Sequence, residues 1–198
     1  MAPAPARGIG RWGAMRVFVD FEASSLRKNG FPVEIGWVFE DGASESHLIQ
    51  PAPGWSDWDE KAEAIHGIPL AVLHAEGTPH DAVAGRMIEV LAGHALYASA
   101  PSWDGKWLSL LLRSAGIPRH ALRLKDTEEA QFESAAAILG AHLSGGALEE
   151  RVRGIMARVR EEGEKRPVRH RALADAEEEL RRWREVVRWA GEAAQGLG

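Results

Sequence analysis

The chain has 198 residues, 45% of them hydrophobic and 27% charged, which is enough for one globular domain with a sizeable core. It contains no cysteine, which excludes disulfides, thiolate zinc sites and a cysteine nucleophile. The formal net charge is −5, so any binding of nucleic acid must come from a local basic patch and not from the overall field.

The N-terminal residues 1–15, MAPAPARGIGRWGAM, are rich in Ala, Pro and Gly and lack the apolar centre of a secretion signal. We expect them to be a flexible lead-in. No apolar run in the sequence approaches the length that spans a bilayer. The sequence therefore predicts a cytoplasmic protein without membrane contact.

Three strands are predicted at the start of the domain. Residues 16–21, 32–39 and 46–50 are rich in β-branched and aromatic side chains. Asp41-Gly42 is a favourable hairpin turn between the second and the third strand. The three segments are therefore expected to form an antiparallel meander.

The rest of the chain alternates predicted helices with short strands. Helices are expected at 59–66, 80–93, 103–116, 127–141, 147–162 and 171–190, and strands at 95–99 and 122–126. This order predicts an α/β domain over 16–190 with a mixed five-stranded sheet, helices on both faces and extra C-terminal helices. The segment 147–166 would be a helical insertion, and 191–198 a tail.

Two acidic residues end the first predicted strand, in the stretch VFVDFEASSL at 17–26. Asp20 and Glu22 share one face, because alternate side chains of a strand point the same way. Either the strand has reached solvent and both acids are hydrated, or they bind a divalent cation whose charge removes their repulsion. Hard oxygen ligands favour Mg²⁺ or Mn²⁺.

Other acids and a histidine are candidates for completing such a site. Asp104 lies at the start of a predicted helix, where the helix dipole also favours an acid, and Asp175 lies on a charged helix. His170 precedes Asp175 by five residues, so the two would not share a face of one continuous helix. Pro167, however, places the helix start near His170, which could then turn back toward Asp175.

Eight basic residues interspersed with Glu lie between positions 151 and 171. They are Arg151, Arg153, Arg158, Arg160, Lys165, Arg166, Arg169 and Arg171. Such a run is either a solvated helix face or a rim that contacts phosphates beside the acidic site.

In order and context, these residues resemble the motifs of the DnaQ-like 3′–5′ exonucleases, the DEDD nucleases with a ribonuclease H-like fold. Asp20-Phe21-Glu22 resembles the first motif, Asp104 the acid of the second, and residues 170–175 the third motif of the histidine (DEDDh) subclass, His-x-Ala-x-x-Asp. Three shorter segments agree with the family as well: Glu34-Ile35-Gly36, residues 64–68 and Asp126-Thr127.

One departure from the family lies in the second motif. Ala100 and Trp103 stand where many relatives have Asn and Phe. Trp keeps an aromatic side chain beside Asp104, whereas the loss of Asn removes a polar group that supports the site or the substrate. Because the acid itself is present, this departure bears on substrate preference more than on activity.

The resemblance implies a two-metal phosphodiesterase. Two divalent cations, Mg²⁺ or Mn²⁺, would be held by Asp20, Glu22, Asp104 and Asp175, with His170 as the general base. The substrate would be DNA or RNA with a free 3′ end, hydrolysed to nucleoside 5′-monophosphates. Several members of the family act as homodimers, so a homodimer is one expected state.

The resemblance also implies residues that contact the substrate. The backbone at Ala23 and Ser24 and the side chain of Leu26 would cradle and wedge the terminal nucleotides. His66 is a candidate for lining the substrate groove, or else a buried or capping histidine. Trp103 either stacks on a base or packs under Asp104 and orients it.

Two other functions stay open at this point. One is an oligoribonuclease-like enzyme that acts on short substrates. The other is a non-catalytic module with the same fold that binds nucleic acid or a partner protein. The presence of all four acids and His170 argues against this module, because a relative without activity would be free to lose them.

Overall fold

A mixed sheet forms the centre of the computed structural model, which describes residues 13–166 and 169–197. The strands are β1 Arg16–Ala23, β2 Pro32–Phe39, β3 Ser44–Gln50, β4 Thr78–Pro79, β5 Ala95–Ala98 and β6 Leu124–Asp126. Their spatial order is β4-β3-β2-β1-β5-β6. The β1–β2 and β2–β3 pairs are antiparallel, and β4, β5 and β6 each pair in parallel. The predicted meander within a mixed α/β sheet is confirmed.

Helices flank this sheet. They are α1 Glu60–His66, α2 Leu70–Glu76, α3 His80–Leu91, α4 Pro101–Ser114, α5 Thr127–Leu139, α6 Gly145–Glu164 and α7 Ala172–Gln195. Within the described residues, no helix is long and apolar enough to cross a membrane.

The observed elements differ from the predicted ones in three places. The sheet has six strands where five were predicted, because β4 has only two residues, too few for a detectable alternation, and pairs with Ile49 and Gln50. Helix α2 was not predicted. Helix α7 continues to Gln195, so most of the predicted tail is helical. Residues 1–12 of the predicted lead-in, Pro167 and Gly198 lie outside the described residues.

Both faces of β1 are covered, and this decides where its acids lie. Val17 and Val19 pack into the cluster that contains Trp37 of β2, Met87 of α3 and other residues of α3 and α4. Phe18 packs on the opposite face, against residues of α5 and α7. Because side chains alternate along a strand, Asp20 and Glu22 continue the face of Phe18, which α7 covers.

The C-terminal helices have an apolar cluster of their own. It joins α5, α6 and α7 through Ala135, Leu139, Val152, Ile155, Val159, Val186 and Ala190. Helix α6, which occupies most of the predicted insertion, therefore packs on α5 and α7 and forms an additional layer beside the domain.

Candidate metal-binding site

Three of the four predicted acids lie together at the end of β1. Asp20, Glu22 and Asp175 each offer a carboxylate oxygen, and these oxygens lie within 4.8 Å of one another. Asp20 and Glu22 come from β1, and Asp175 comes from the first turn of α7. The structure thus joins residues that are more than 150 positions apart in the sequence.

The start of α7 is held on the sheet by the segment Glu34-Ile35-Gly36 of β2. The buried Glu34 carboxylate accepts hydrogen bonds from Arg171 at 2.6 and 3.0 Å and from the Ala172 N–H at 3.0 Å. Gly36, the register partner of Asp20, lets the α7 backbone approach: a Cβ at this position would lie 2.3 Å from Leu173 N. These contacts set the distance between Asp175 and the acids of β1.

The carboxylates of the site are hard to ionise together. Burial raises the pKa of Asp20 well above its ordinary value, and the charges of Asp104, Glu22 and Asp175 raise it further. Burial is also the main cause that raises the pKa of Glu22 to about 7, followed by the charge of Asp175. A divalent cation removes this repulsion, and an all-carboxylate donor set suits Mg²⁺ or Mn²⁺. The residues present therefore fit the predicted cations.

Asp104 lies outside this group of three but acts on it. The residue is only 4% exposed, on the first turn of α4, and its charge is the second largest cause of the raised pKa of Asp20. Burial raises the pKa of Asp104 itself to about 7. Its Oδ2 atom is buried and has no hydrogen-bond partner in the part of the chain that the structure describes. A buried carboxylate with an unused oxygen beside Asp20 is suited to support a bound cation.

His170 lies immediately before α7, as expected from the sequence. Its side chain is exposed, and its charge lowers the pKa of Asp175, against the larger effect of burial. With φ of 50°, His170 alone among the described non-glycine residues has a positive φ. Such strained conformations concentrate at functional sites, where the surrounding contacts hold them.

Glu179 is a site residue that the sequence reasoning missed. It lies one turn after Asp175 on α7, and its charge also contributes to the raised pKa of Asp20. Burial raises the pKa of Glu179 as well. The available signal was the i, i+4 spacing to Asp175, which places both side chains on one face of a helix.

Ser24 lies inside the loop that follows β1. It is fully buried, and its hydroxyl accepts a hydrogen bond from Phe31 N at 3.0 Å. Its N–H donates to Phe31 O, and its carbonyl accepts from Asp59 N. These bonds close the loop between β1 and β2 and leave the polar groups of Ser24 committed to the protein. Ala23, at the irregular end of β1, is half-buried, whereas Leu26 on the same loop is 70% exposed.

His66 is a buried residue at the end of α1. Its Nδ1 atom accepts a hydrogen bond from Ile68 N at 3.0 Å, and burial lowers its pKa. Its Nε2 atom is buried without a partner among the described residues. Of the two predicted roles, the geometry favours the buried, capping histidine over one that lines an open groove.

Trp103 stays partly accessible beside Asp104. It is 43% exposed and stacks on Trp107 with ring centroids 6.2 Å apart. The Lys106 ammonium lies 5.2 Å from the Trp103 centroid and donates to Arg27 O at 2.7 Å. Trp103 therefore combines packing on α4 with a surface open to a ligand.

No protein-family model matches the sequence, and neither does any curated protein. Solved structures of exonuclease I do match. The zinc-bound complex of Escherichia coli exonuclease I with single-stranded DNA has a TM-score of 0.64 at 14% identity, over 93% of this chain and 42% of that chain. The fold is that of the ribonuclease H-like exonucleases.

Two further exonuclease I structures give similar results. The E. coli enzyme in complex with a dT13 oligonucleotide has a TM-score of 0.63 at 14% identity, over 92% of this chain and 43% of that chain. The moderately thermophilic exonuclease I from Methylocaldum szegediense has a TM-score of 0.53 at 14% identity, over 62% of this chain and 30% of that chain. The match spans less than half the length of these proteins, and at this identity it shows the fold alone.

Proposed function

We propose that the protein is a metal-dependent 3′–5′ exonuclease of the DnaQ-like histidine subclass, which hydrolyses DNA or RNA from a free 3′ end. The observation that carries the proposal is the convergence of Asp20, Glu22 and Asp175 within 4.8 Å. Asp104 lies beside them with an unused buried oxygen, and His170 is exposed at the start of α7. Two of the structurally similar proteins are exonuclease I complexes with single-stranded DNA or an oligonucleotide, which supports the same class of substrate.

Two divalent cations would be held by Asp20, Glu22, Asp175 and Asp104. When bound, they would supply activation of water and stabilisation of the leaving oxygen. The protein's own part is to keep four carboxylates close together in a partly buried place, where the raised pKa values of Asp20 and Glu22 reflect a site that is incomplete without positive charge.

His170 would take the proton from the attacking water. Neutral imidazole is the side chain best suited to accept a proton near neutral pH. The pair of Arg171 with Glu34 fixes the residue that follows His170, which limits where the exposed imidazole can reach. The products would be nucleoside 5′-monophosphates. A homodimeric state and a cytoplasmic location stay predictions.

The test uses 5′-labelled DNA and RNA oligonucleotides with free or blocked 3′ ends, in Mg²⁺, Mn²⁺ or EDTA. The wild-type protein is compared with Asp20→Asn and with Asp81→Asn, an exposed acid of α3 that serves as the matched control. We expect a ladder that shortens from the 3′ end with wild type and Asp81→Asn. The ladder should be lost with EDTA, with Asp20→Asn and on blocked ends.

Other outcomes would replace the proposal. Cleavage restricted to dinucleotides would favour the oligoribonuclease-like enzyme. Binding of oligonucleotides without cleavage in any metal would favour the non-catalytic module.

A further inference from the structure

One wall of the cleft that contains Asp20 and Asp175 is basic and comes from residues that follow the end of α6. The cleft has a volume of about 650 Å³, within the range of ligand-binding clefts, which is roughly 300–1,000 Å³. Four arginines line it: Arg166, Arg169, Arg181 and Arg182. These arginines differ in how many hydrogen bonds and ion pairs they form with carboxylates of the protein.

The two arginines on α7 are paired within the helix. Arg181 donates to Glu178 and to Glu185, each at 2.5 Å. Arg182 lies 3.3 Å from Glu178 and 3.1 Å from Glu179. Their charges are largely compensated, and most of their guanidinium nitrogens already donate to a carboxylate.

The other two arginines have donors to spare. The nearest recorded carboxylate of Arg166 is Glu185, at 4.0 Å, which Arg181 already holds, and the side chain of Arg166 is 54% exposed. Arg169 is exposed and forms no side-chain ion pair within residues 13–166 and 169–197. A guanidinium carries five N–H donors whose fork geometry matches the oxygens of a phosphate. Arg166 and Arg169 are therefore available to an anionic ligand in this cleft.

Packing gives this wall a defined position. Val152, Ile155 and Val159 anchor α6 in the apolar cluster with α5 and α7. Near its end, Gly163 lies directly against Arg182, because a Cβ at Gly163 would be only 2.9 Å from Arg182 Nε. The end of α6 is thus held close to α7 at Arg182, two helical turns after Asp175.

We propose that Arg166 and Arg169 bind phosphodiester groups of the substrate strand beyond its terminal nucleotide, so that these two residues, which follow α6, supply a strand-binding wall. This inference rests on the proposed function, in which the carboxylates and their cations take the scissile phosphate. The net charge of −5 repels a polyanion, so the other phosphates of the strand need local cationic partners. In this cleft, these two arginines have free donors for that contact.

Binding is measured separately from cleavage, in an Asp20→Asn background with Mg²⁺. The probe is a 5′-labelled single-stranded DNA of about 12 nucleotides, and fluorescence anisotropy gives Kd over a range of salt concentrations. The test variant is Arg166→Gln with Arg169→Gln. The control is Arg119→Gln with Arg123→Gln, which removes the same charge from exposed positions between α4 and β6.

We expect the test variant to raise Kd about tenfold or more and to reduce the slope of log K against log salt by about 1.4, which corresponds to two lost phosphate contacts on a single strand. The control variant should change both Kd and the salt slope by much less than the test variant does. A labelled dinucleotide should bind the test variant and the background equally, because its single phosphate occupies the carboxylate site. All four arginines are exposed, so both variants should keep the parental unfolding temperature.

Equal effects of the test and control pairs would overturn the inference, and cleavage by the wild-type protein would then still support the proposed function. An equal loss for the dinucleotide would place the arginines at the scissile phosphate and would also overturn it. The inference would also be overturned if inorganic phosphate, at constant ionic strength, displaced the probe from the Asp20→Asn protein but not from the test variant. Free phosphate would then be the ligand of the two arginines. Absence of both binding and cleavage by the wild-type protein would remove the proposed function itself.

Discussion

Gly36 is the position at which one added methyl group should disturb the candidate site most. A Cβ there would lie 2.3 Å from Leu173 N, 2.4 Å from Leu173 Cα and 2.5 Å from Ala172 C. These are backbone atoms, so no side-chain rotation relieves the overlap. Because carbon atoms rest about 3.5–4.0 Å apart, the Gly36→Ala change must push the start of α7 away from β2 by roughly 1 Å.

The displaced segment carries the groups that complete the site. His170 and Asp175 flank the overlap, whereas Asp20 and Glu22 stay on β1. A misplacement of this size can cost about 10²-fold in rate, and overpacking typically costs about 1–3 kcal/mol of stability. We therefore expect Gly36→Ala to slow hydrolysis by about two orders of magnitude and to lower the free energy of unfolding.

The assay is the rate of oligonucleotide cleavage at saturating Mg²⁺, with urea unfolding of the same samples. Gly191→Ala is the matched control, because Gly191 lies on the same helix and its added Cβ would meet nothing within 4 Å. That variant should keep the wild-type rate and gain about 0.5–1 kcal/mol, since Ala replaces Gly inside a helix. A Gly36→Ala protein with wild-type rate and stability would refute the reasoning about α7.

Three further predictions concern single side chains. His170→Ala should slow hydrolysis by about 10²–10⁴-fold while Mn²⁺ binding, measured by equilibrium dialysis, is retained. Asp104→Asn should stabilise the metal-free protein by on the order of 2–4 kcal/mol at a pH above about 7, because burial raises the pKa of Asp104 to about 7. This gain should shrink as the pH falls from about 7 toward the ordinary value of 3.8, since Asp104 then becomes protonated in the folded protein and stops destabilising it. Arg171→Gln should lower the free energy of unfolding, measured with urea, by about 1–3 kcal/mol, because the buried Glu34 carboxylate loses its bidentate hydrogen bonds with the guanidinium.

Each of these predictions has an outcome that contradicts it. Unchanged hydrolysis by His170→Ala would remove its assignment as the base. For Asp104→Asn, a stability difference that does not vary with pH would show that ionisation of this carboxyl is not what destabilises the fold. For the Arg171 pair, the Glu34→Gln and Arg171→Gln changes should be non-additive in a double-mutant cycle, and strict additivity would show that the two side chains do not interact.

Local patterns in the sequence were sufficient for five of the six strands and for part of the candidate site. The period of two along residues 17–22 places Asp20 and Glu22 on one face, because this alternation depends only on the extended backbone. The Asp41-Gly42 turn and the flanking β-branched segments likewise predicted the β2–β3 hairpin. The start of the last helix near His170 followed from its position after Pro167 and before the first helical residues.

Contacts between distant segments decided the rest. The pairing of Glu34 with Arg171 joins residues 137 positions apart and brings Asp175 to β1, which no local pattern encodes. The same holds for the hydrogen bonds that join Ser24 to Phe31 and Asp59, and for the two-residue strand β4, which exists only through its pairing with β3. The charge run at 151–171 left both a solvated face and a phosphate-binding rim open. Only the packing of α6 against α7 placed Arg166 and Arg169, which follow α6, on the wall of the cleft, because exposed residues acquire their neighbours only when the whole chain has folded.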